Sequence, residues 1–288
     1  ATLRDNVISL AKQIGYRPRS STAPKATVNF QVNYTGSGTA PDGVKLKKGT
    51  GFLTNFDDTL YQFITIDDQE APLNGGIADF GDIDVYEGTL ITQSFTINTG
   101  LKNQRFILQN SGLDTSSIRV RVYPQENDTN YVTYNAADNI LDLNGSSQVF
   151  FVEEIEDEQY EIFFGDGVYG KKLANGNFIE VSYLVTSAAA TNGAKTFTFS
   201  GIITPKTGTA NFSYTTSIST VDAAAGGADP ESVASIKKSA PRAFAAQDRA
   251  VTAADYESIV RKVYPAISDI ITFGGEEDEP PEFGKVKV

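Results

Sequence analysis

The pattern of apolar and polar residues changes twice along the chain. Near the N-terminus, the apolar residues recur with the helical period of about 3.6 residues and form one stripe, made of Leu3, Val7, Leu10, Ala11 and Ile14. This pattern predicts an N-terminal helix, and Gly15 followed by Pro18 predicts where it stops.

Between Ala26 and about Val221 the apolar residues alternate with polar ones, as in Val28, Phe30 and Val32. Alternation of this kind predicts β-strands, and the intervening Asn-Gly pairs supply turns. The segment 110–115, rich in Gly, Asn and Ser, predicts a boundary between two lobes.

After Gly226-Gly227 the helical period returns. Asp229 is a candidate N-cap, with Pro230 as the first helical residue and Pro241 as the end of that helix. Thr252 and Asp255 form a candidate capping pair for a further helix.

The sequence therefore predicts an α+β fold, with mainly antiparallel β-rich lobes and α-helices at the N-terminal and C-terminal ends. The predicted domains are an N-terminal helix and linker (1–25), a β-rich lobe (26–112), a second β-rich lobe (113–225) and a C-terminal α/β segment (226–288).

The composition excludes several classes of protein. Among 288 residues there is no His and no Cys, which removes Ser-His-Asp triads, thiol nucleophiles and zinc sites of His and Cys. The net charge of −12 disfavours nucleic-acid binding, and no apolar run reaches the ~20 residues that span a bilayer. We therefore expect neither a nucleic-acid partner nor a membrane span, and any metal would have to be a hard cation held by oxygen ligands. The absence of Met, even at position 1, predicts either a fragment or a sequence from which modified Met residues have been left out.

One glycine motif invites a chemical interpretation. Gly165, Asp166, Gly167 and Gly170 match the spacing of dinucleotide-binding and phosphate-binding loops. Both kinds of loop need a helix N-terminus directly after the glycines, whereas here the pattern that follows is that of a strand. We therefore predict a structural turn at the tip of a hairpin.

Acidic residues are concentrated in 153–161, and Asp82 and Asp84 form a smaller group. Paired carboxylates could serve a glycosidase, and oxygen ligands could hold calcium. Because the chain has 36 acidic residues, the sequence cannot select such a pair, and we expect most of them to be solvated. A calcium-dependent carbohydrate-binding or adhesin β-module stays open as the alternative function.

Basic residues gather at both ends of this acidic chain. The first 25 residues contain Arg4, Lys12, Arg17, Arg19 and Lys25. Near the C-terminus the basic residues are Lys237, Lys238, Arg242, Arg249, Arg261 and Lys262. The C-terminal group is either a solvated helix face or a docking surface for an acidic partner, including another copy of the chain.

Several separated stretches together resemble the baseplate J-like proteins of contractile phage tails, and more closely the T4-type wedge subunits of the inner baseplate ring. The stretches are residues 10–18, 26–30, 111–120, 160–167, 226–232, 240–242 and 250–256.

This resemblance implies a non-enzymatic assembly protein located in the tail baseplate of a virion. It implies that the chain pairs with itself as a homodimer within a ring and binds other wedge subunits. It also implies a change in baseplate shape that triggers contraction of the tail sheath. The resemblance implies no catalytic residue, no cofactor and no small-molecule substrate, and it gives the glycine motif a structural role.

Overall fold

The computed structural model describes residues 3–101, 104–137, 143–207, 212–246, 249–263, 267, 270–277 and 279–287. Most of the regular structure is β-strand, accompanied in the described residues by three α-helices. The helices are α1 (Leu3–Gln13), α2 (Val233–Ala246) and α3 (Ala253–Val263). The predicted α+β class is confirmed in this coarse form.

The strands are short and follow one another closely. In chain order they are β1 (Lys25–Tyr34), β2 (Gly43–Leu46), β3 (Gly51–Phe56), β4 (Thr59–Ile64), β5 (Gln69–Asn74), β6 (Ile77–Glu87), β7 (Thr89–Thr96), β8 (Phe106–Leu108), β9 (Leu113–Tyr123), β10 (Val132–Ala136), β11 (Val149–Glu154), β12 (Tyr160–Phe164), β13 (Phe178–Val185), β14 (Thr198–Phe199), β15 (Ile203–Pro205), β16 (Tyr214–Ala225), β17 (Phe273–Gly274) and β18 (Val286–Lys287).

The first sheet contains nine strands, in the order β14-β3-β4-β6-β5-β2-β15, with β1 lying between β6 and β16. In β1 every second side chain is buried, because strand residues alternate between the two faces of a sheet. Phe30 lies at the centre of this core and packs edge to face against Phe52, with ring centroids 5.4 Å apart. The burial of Val28, Phe30 and Val32 follows the alternation that predicted this strand.

The second sheet contains seven strands in the order β7-β13-β9-β10-β11-β12-β8. All of its neighbours are antiparallel except β10 and β11, which are parallel. Its core includes Ile179, Val181 and Tyr183 from β13, and the Tyr183 hydroxyl donates to Asn110 Oδ1 at 2.6 Å. The second sheet therefore has a core of its own.

Sheet membership does not follow the predicted domain limits. β7 lies within 26–112 but belongs to the second sheet, whereas β14, β15 and β16 lie within 113–225 but belong to the first. The chain leaves the first sheet after β6, builds the second sheet, and then returns to pair β16 with β1. Alternation identifies strands but not their partners, which is why a single break near residue 112 missed this return.

Helices α1 and α2 pack against each other and differ from the sequence patterns in detail. Ile8 and Ala11 of α1 pack on Ile236 and Ala240 of α2, while Leu3 and Leu10 of the predicted stripe remain exposed. Helix α2 begins at Val233, after Ser232, whose hydroxyl accepts the Ser235 N–H, so Asp229 is not its N-cap.

The prediction that Pro241 ends α2 is wrong, because the helix continues through it to Ala246. Proline removes one helical hydrogen bond, but Ile236 and Ala240 pack on α1 in the turns before Pro241, and Ala246 is buried at the far end of the helix. The predicted capping pair of α3 is confirmed: the Thr252 N–H donates to Asp255 Oδ2 at 2.8 Å. Among the described helices, none has the length and apolar character needed to cross a membrane.

Candidate assembly surfaces

The basic residues of the N-terminal segment are paired within the chain. Arg4 forks onto Glu154 of β11, with Nε 3.0 Å from Oε1 and Nη2 3.2 Å from Oε2. The same guanidinium donates from Nη1 to the Glu231 carbonyl at 2.6 Å. About two turns further along α1, Lys12 Nζ lies 3.2 Å from Glu153 Oε2. Helix α1 is thereby fastened to the end of β11 and to the start of the α2 segment.

The Arg4–Glu154 pair is almost fully removed from water. The Glu154 side chain is 2% exposed and that of Arg4 is 14% exposed. Burial raises the pKa of Glu154 above its ordinary value, while the hydrogen bonds from Arg4 act in the opposite direction. Breaking a buried pair leaves one charge without compensation, so each of these residues depends on the other.

A second buried carboxylate is that of Glu231, the residue whose carbonyl also accepts from Arg4. It accepts hydrogen bonds from the Tyr16 hydroxyl at 2.9 and 3.0 Å and from Ser235 Oγ at 2.7 Å. Burial, together with the charge of Glu231, raises the pKa of the Tyr16 phenol, so the phenol stays protonated and donates. The linker after α1 is therefore tied to the first turn of α2.

Two further buried carboxylates lie where the sheets meet. Glu87, at the end of β6, accepts from Thr186 Oγ1 at 2.5 Å and from the Ser187 N–H at 2.8 Å, just after β13. Asp114, at the start of β9, accepts the Ala23 N–H at 2.9 Å. Each carboxylate joins a strand end to a segment from another part of the chain.

These junction carboxylates, Glu87, Asp114, Glu154 and Glu231, are the buried acidic residues of the described chain. Their role could not be predicted, because nothing in the sequence separates these four from the other acidic residues of the chain. The available signal was partial: among the stretches that resemble the wedge family, 111–120 contains Asp114 and 226–232 contains Glu231. What these groups do chemically is hold elements together.

The C-terminal basic residues occupy a different setting. Lys237 and Lys238 of α2 are exposed, Arg249 is exposed, and Arg242 Nη1 lies 3.9 Å from Glu257 Oε2 on α3. Arg261 and Lys262 belong to α3, but their side chains lie outside the described residues. Phe244 of α2, two residues after Arg242, is 58% exposed. The two adjacent lysines therefore present positive charge to solvent.

The glycine motif forms a compact turn. Asp166 Oδ1 accepts the N–H groups of Val168 and Tyr169 at 2.8 and 3.0 Å, which lowers the pKa of this carboxyl. Gly167 donates to the Gly170 carbonyl at 3.0 Å, and both residues have φ above +90°. A side chain at Gly165 would lie 2.1 Å from the Gly170 backbone. Backbone geometry thus requires glycine here.

The predicted hairpin around this turn does not form. β12 pairs with β8 and β11, whereas β13 pairs with β7 and β9, so the strands before and after the glycines are not neighbours. The turn instead packs on the 144–147 loop, where Gly170 N donates to the Asn144 carbonyl at 3.0 Å. The next regular element is a strand, so the turn lacks the helix N-terminus that a phosphate loop requires.

The acidic residues considered for calcium are used in cross-strand hydrogen bonds. Asp82 Oδ1 accepts the Asn29 amide at 2.9 Å, and Asp84 accepts from Lys25 Nζ and Thr27 Oγ1 at 3.1 and 2.9 Å. Within the part of the chain that the structure describes, no group of three or more acidic side chains is arranged to hold a metal ion.

Comparison with known proteins connects these features to a family. The family model described as "Bacteriophage baseplate wedge protein gp6, third domain" matches residues 93–193, which cover most of the second sheet. A second model, "Baseplate structural protein gp6, C-terminal domain I", matches residues 252–288. Baseplate wedge protein gp6 of Enterobacteria phage T4 is 21% identical over 298 residues.

That alignment covers 97% of this chain and 44% of the T4 protein, so the chain spans less than half the length of its relative. Among solved structures, the six-fold symmetrised cryo-EM structure of the anti-feeding prophage baseplate aligns over 98% of this chain and 50% of that chain. Its sequence identity is 11% and its TM-score is 0.32, which is too low to indicate a shared fold.

Proposed function

We propose that this chain, which is related to the gp6 family of bacteriophage baseplate wedge proteins and belongs to the tail baseplate of the virion, works as a structural subunit there and not as an enzyme. It associates with a second copy of itself and binds other wedge subunits. The resulting ring changes shape and so triggers contraction of the tail sheath. The observation that carries the proposal is the pair of gp6 matches, which lie in two separate parts of the chain.

The buried chemistry supports an architectural role. Each junction carboxylate is occupied by hydrogen bonds from its own chain, and the glycine turn closes on itself through Asp166. These groups fix the relative positions of strands and helices, which is what a subunit of a large frame requires. The turn formed by Gly165, Asp166, Gly167 and Gly170 then serves to hold the 144–147 loop.

The exposed lysines on α2 fit a contact with another wedge subunit. Lys237 and Lys238 give positive charge to a chain whose net charge is −12, so they favour an acidic partner surface. With Arg242, Arg249, Arg261 and Lys262 they form the proposed docking face for such a partner. Complementary charge at a rim mainly speeds association and sets specificity.

The test is co-purification of this chain with the other wedge subunits of the same virus. The change Lys237→Glu with Lys238→Glu reverses two charges on α2, and we expect retention of the partner to fall by about tenfold. The matched control is Lys171→Glu with Lys172→Glu, two exposed adjacent lysines after the glycine turn, which should retain the partner. Equal retention by both variants would remove α2 from the contact.

A further inference from the structure

β7 forms one edge of the second sheet. It pairs with β13 along its whole length, from Thr89 opposite Val185 to Thr96 opposite Phe178, without a bulge. On its other side no strand is paired with it among the described residues. There the Thr96 carbonyl accepts from Gln104 Nε2 at 2.6 Å, and residues 89–95 have no further described backbone hydrogen bond beyond the ladder to β13. The edge therefore presents unpaired backbone groups.

Along residues 89–95, this edge has none of the usual protection from the part of the chain that the structure describes. Its sequence, TLITQSFT, contains no charged residue, proline or glycine, in a chain with 24 basic and 36 acidic residues. Natural edge strands are normally blunted by lysine, proline, a bulge or a covering segment, because a bare edge pairs with other chains. This eight-residue strand of uncharged, β-forming residues can therefore pair with a further strand.

Gln93, at the middle of β7, has a buried polar atom without a partner. Its Oε1 is buried and accepts no hydrogen bond in the described structure. Two residues to either side, Ile91 and Phe95 point to the same face and are only partly buried against the second core. A buried unsatisfied polar atom costs about 1–3 kcal/mol, so this site is incomplete in the isolated chain.

We infer that β7 pairs antiparallel with β7 of a second copy, about a two-fold axis that passes through Gln93. In this register Gln93 lies opposite Gln93, Ile91 opposite Phe95, and Thr92 opposite Ser94. A glutamine amide carries both an acceptor and two donors, so the two facing amides satisfy each other. The apolar pairs on either side complete the cover of each core edge.

A second copy fits this edge because the segment is complementary to itself. Reading outward from Gln93, an apolar residue lies two positions away in each direction, as a two-fold interface requires. Two copies of a chain with net charge −12 repel each other, and a strand without charges brings no like charges face to face. The inference rests on the proposed self-association and names the surface that carries it.

The chain contains no cysteine, so an introduced one reports on a single position. In Gln93→Cys the two sulfur-bearing residues lie opposite each other, with Cβ atoms about 5 Å apart, near the separation that a disulfide needs. We expect oxidation to give a covalent dimer at least about tenfold faster than Thr215→Cys, an exposed position on the edge strand β16.

Two exposed neighbours test the register without touching the core. Thr92→Cys mixed with Ser94→Cys should cross-link faster than either variant alone, because those two positions face each other. Cross-linking of Thr92→Cys alone at the rate of the mixture would overturn the register.

Sedimentation of the wild-type chain separates the two proposals. A wild-type dimer whose Gln93→Cys variant cross-links no faster than Thr215→Cys would overturn the β7 pairing and leave self-association standing. A wild-type monomer at all concentrations, together with no cross-linking at position 93, would overturn both.

Discussion

Helix α1 and strand β7 use polar groups in opposite ways. Helix α1 carries Arg4 and Lys12, both engaged by acidic residues of the same chain. β7 carries no charge, yet the buried Oε1 of Gln93 accepts no hydrogen bond from any residue that the structure describes. The charges of Arg4 and Lys12 are therefore neutralised within the chain, whereas the amide oxygen of Gln93 still needs a hydrogen-bond donor.

The difference shows what marks an assembly surface in this molecule. Basic residues gather at both ends of this acidic chain, and Arg4, Lys12 and Lys25 among them form ion pairs that close junctions within the chain. Unsatisfied hydrogen-bonding groups and half-covered apolar residues at a sheet edge are the stronger indication, because each has a cost that only a partner removes.

Arg4→Met should have the largest effect, since it leaves Glu154 buried without its cation. We expect a loss of about 3 kcal/mol in the free energy of unfolding, measured with urea. The control is Arg105→Met, which breaks an ion pair with Glu161 in which the Arg105 side chain is 55% exposed, and should cost less than about 1 kcal/mol. Equal losses would mean that α1 is not held by its buried pair.

Gln93→Leu should act in the opposite direction on the isolated chain. Removing the unsatisfied oxygen should raise the free energy of unfolding by about 1 kcal/mol, measured at concentrations where the chain is monomeric, and should weaken self-association. Gln104→Leu is the matched control, because it removes the hydrogen bond to the Thr96 carbonyl and should lower stability. A destabilised Gln93→Leu monomer would show that the amide is already satisfied.

The pH dependence of stability gives the smallest effect. Because the pKa of Glu154 is raised by burial, the folded chain binds its proton more tightly than the unfolded chain does. The contribution of Glu154 to stability is therefore full below its ordinary pKa of 4.5 and declines as pH rises above that value. Urea unfolding from acidic to neutral pH should show this decline in the wild type but not in Glu154→Gln.

Asp166 should change the pH dependence of stability in the opposite direction to Glu154, and Asp166→Asn should remove its contribution. The pKa of Asp166 is lowered by backbone hydrogen bonds, so its contribution is present above the ordinary value of 3.8 and is lost as pH falls below it. For Glu154, a loss of unfolding free energy toward neutral pH that persists in Glu154→Gln would show that another group causes it.

The strands and the capping pair of α3 were predictable because they depend on local patterns: alternation in β1, and Thr252 with Asp255 in α3. The pairing of β16 with β1 was not predictable, because it joins residues about 190 positions apart and alternation does not identify a strand's partner. The continuation of α2 through Pro241 also depends on tertiary packing, here against α1.

The candidate site divides in the same way. The turn at Gly165–Gly170 was predictable as a turn, because glycine spacing reports backbone conformation, but its place in the sheet was not. Gln93 could not be selected in advance, because an amide is unsatisfied only with respect to the neighbours that the fold gives it.

Sedimentation velocity of two double variants tests the central claim that the neutral edge, and not the basic helices, joins two copies. Thr92→Lys with Ser94→Lys places like charges opposite each other across the proposed axis, and should weaken the dimer by about a hundredfold. Lys237→Glu with Lys238→Glu should leave the dimer intact. A dimer that survives the β7 charges and dissociates with the α2 charges would contradict the account.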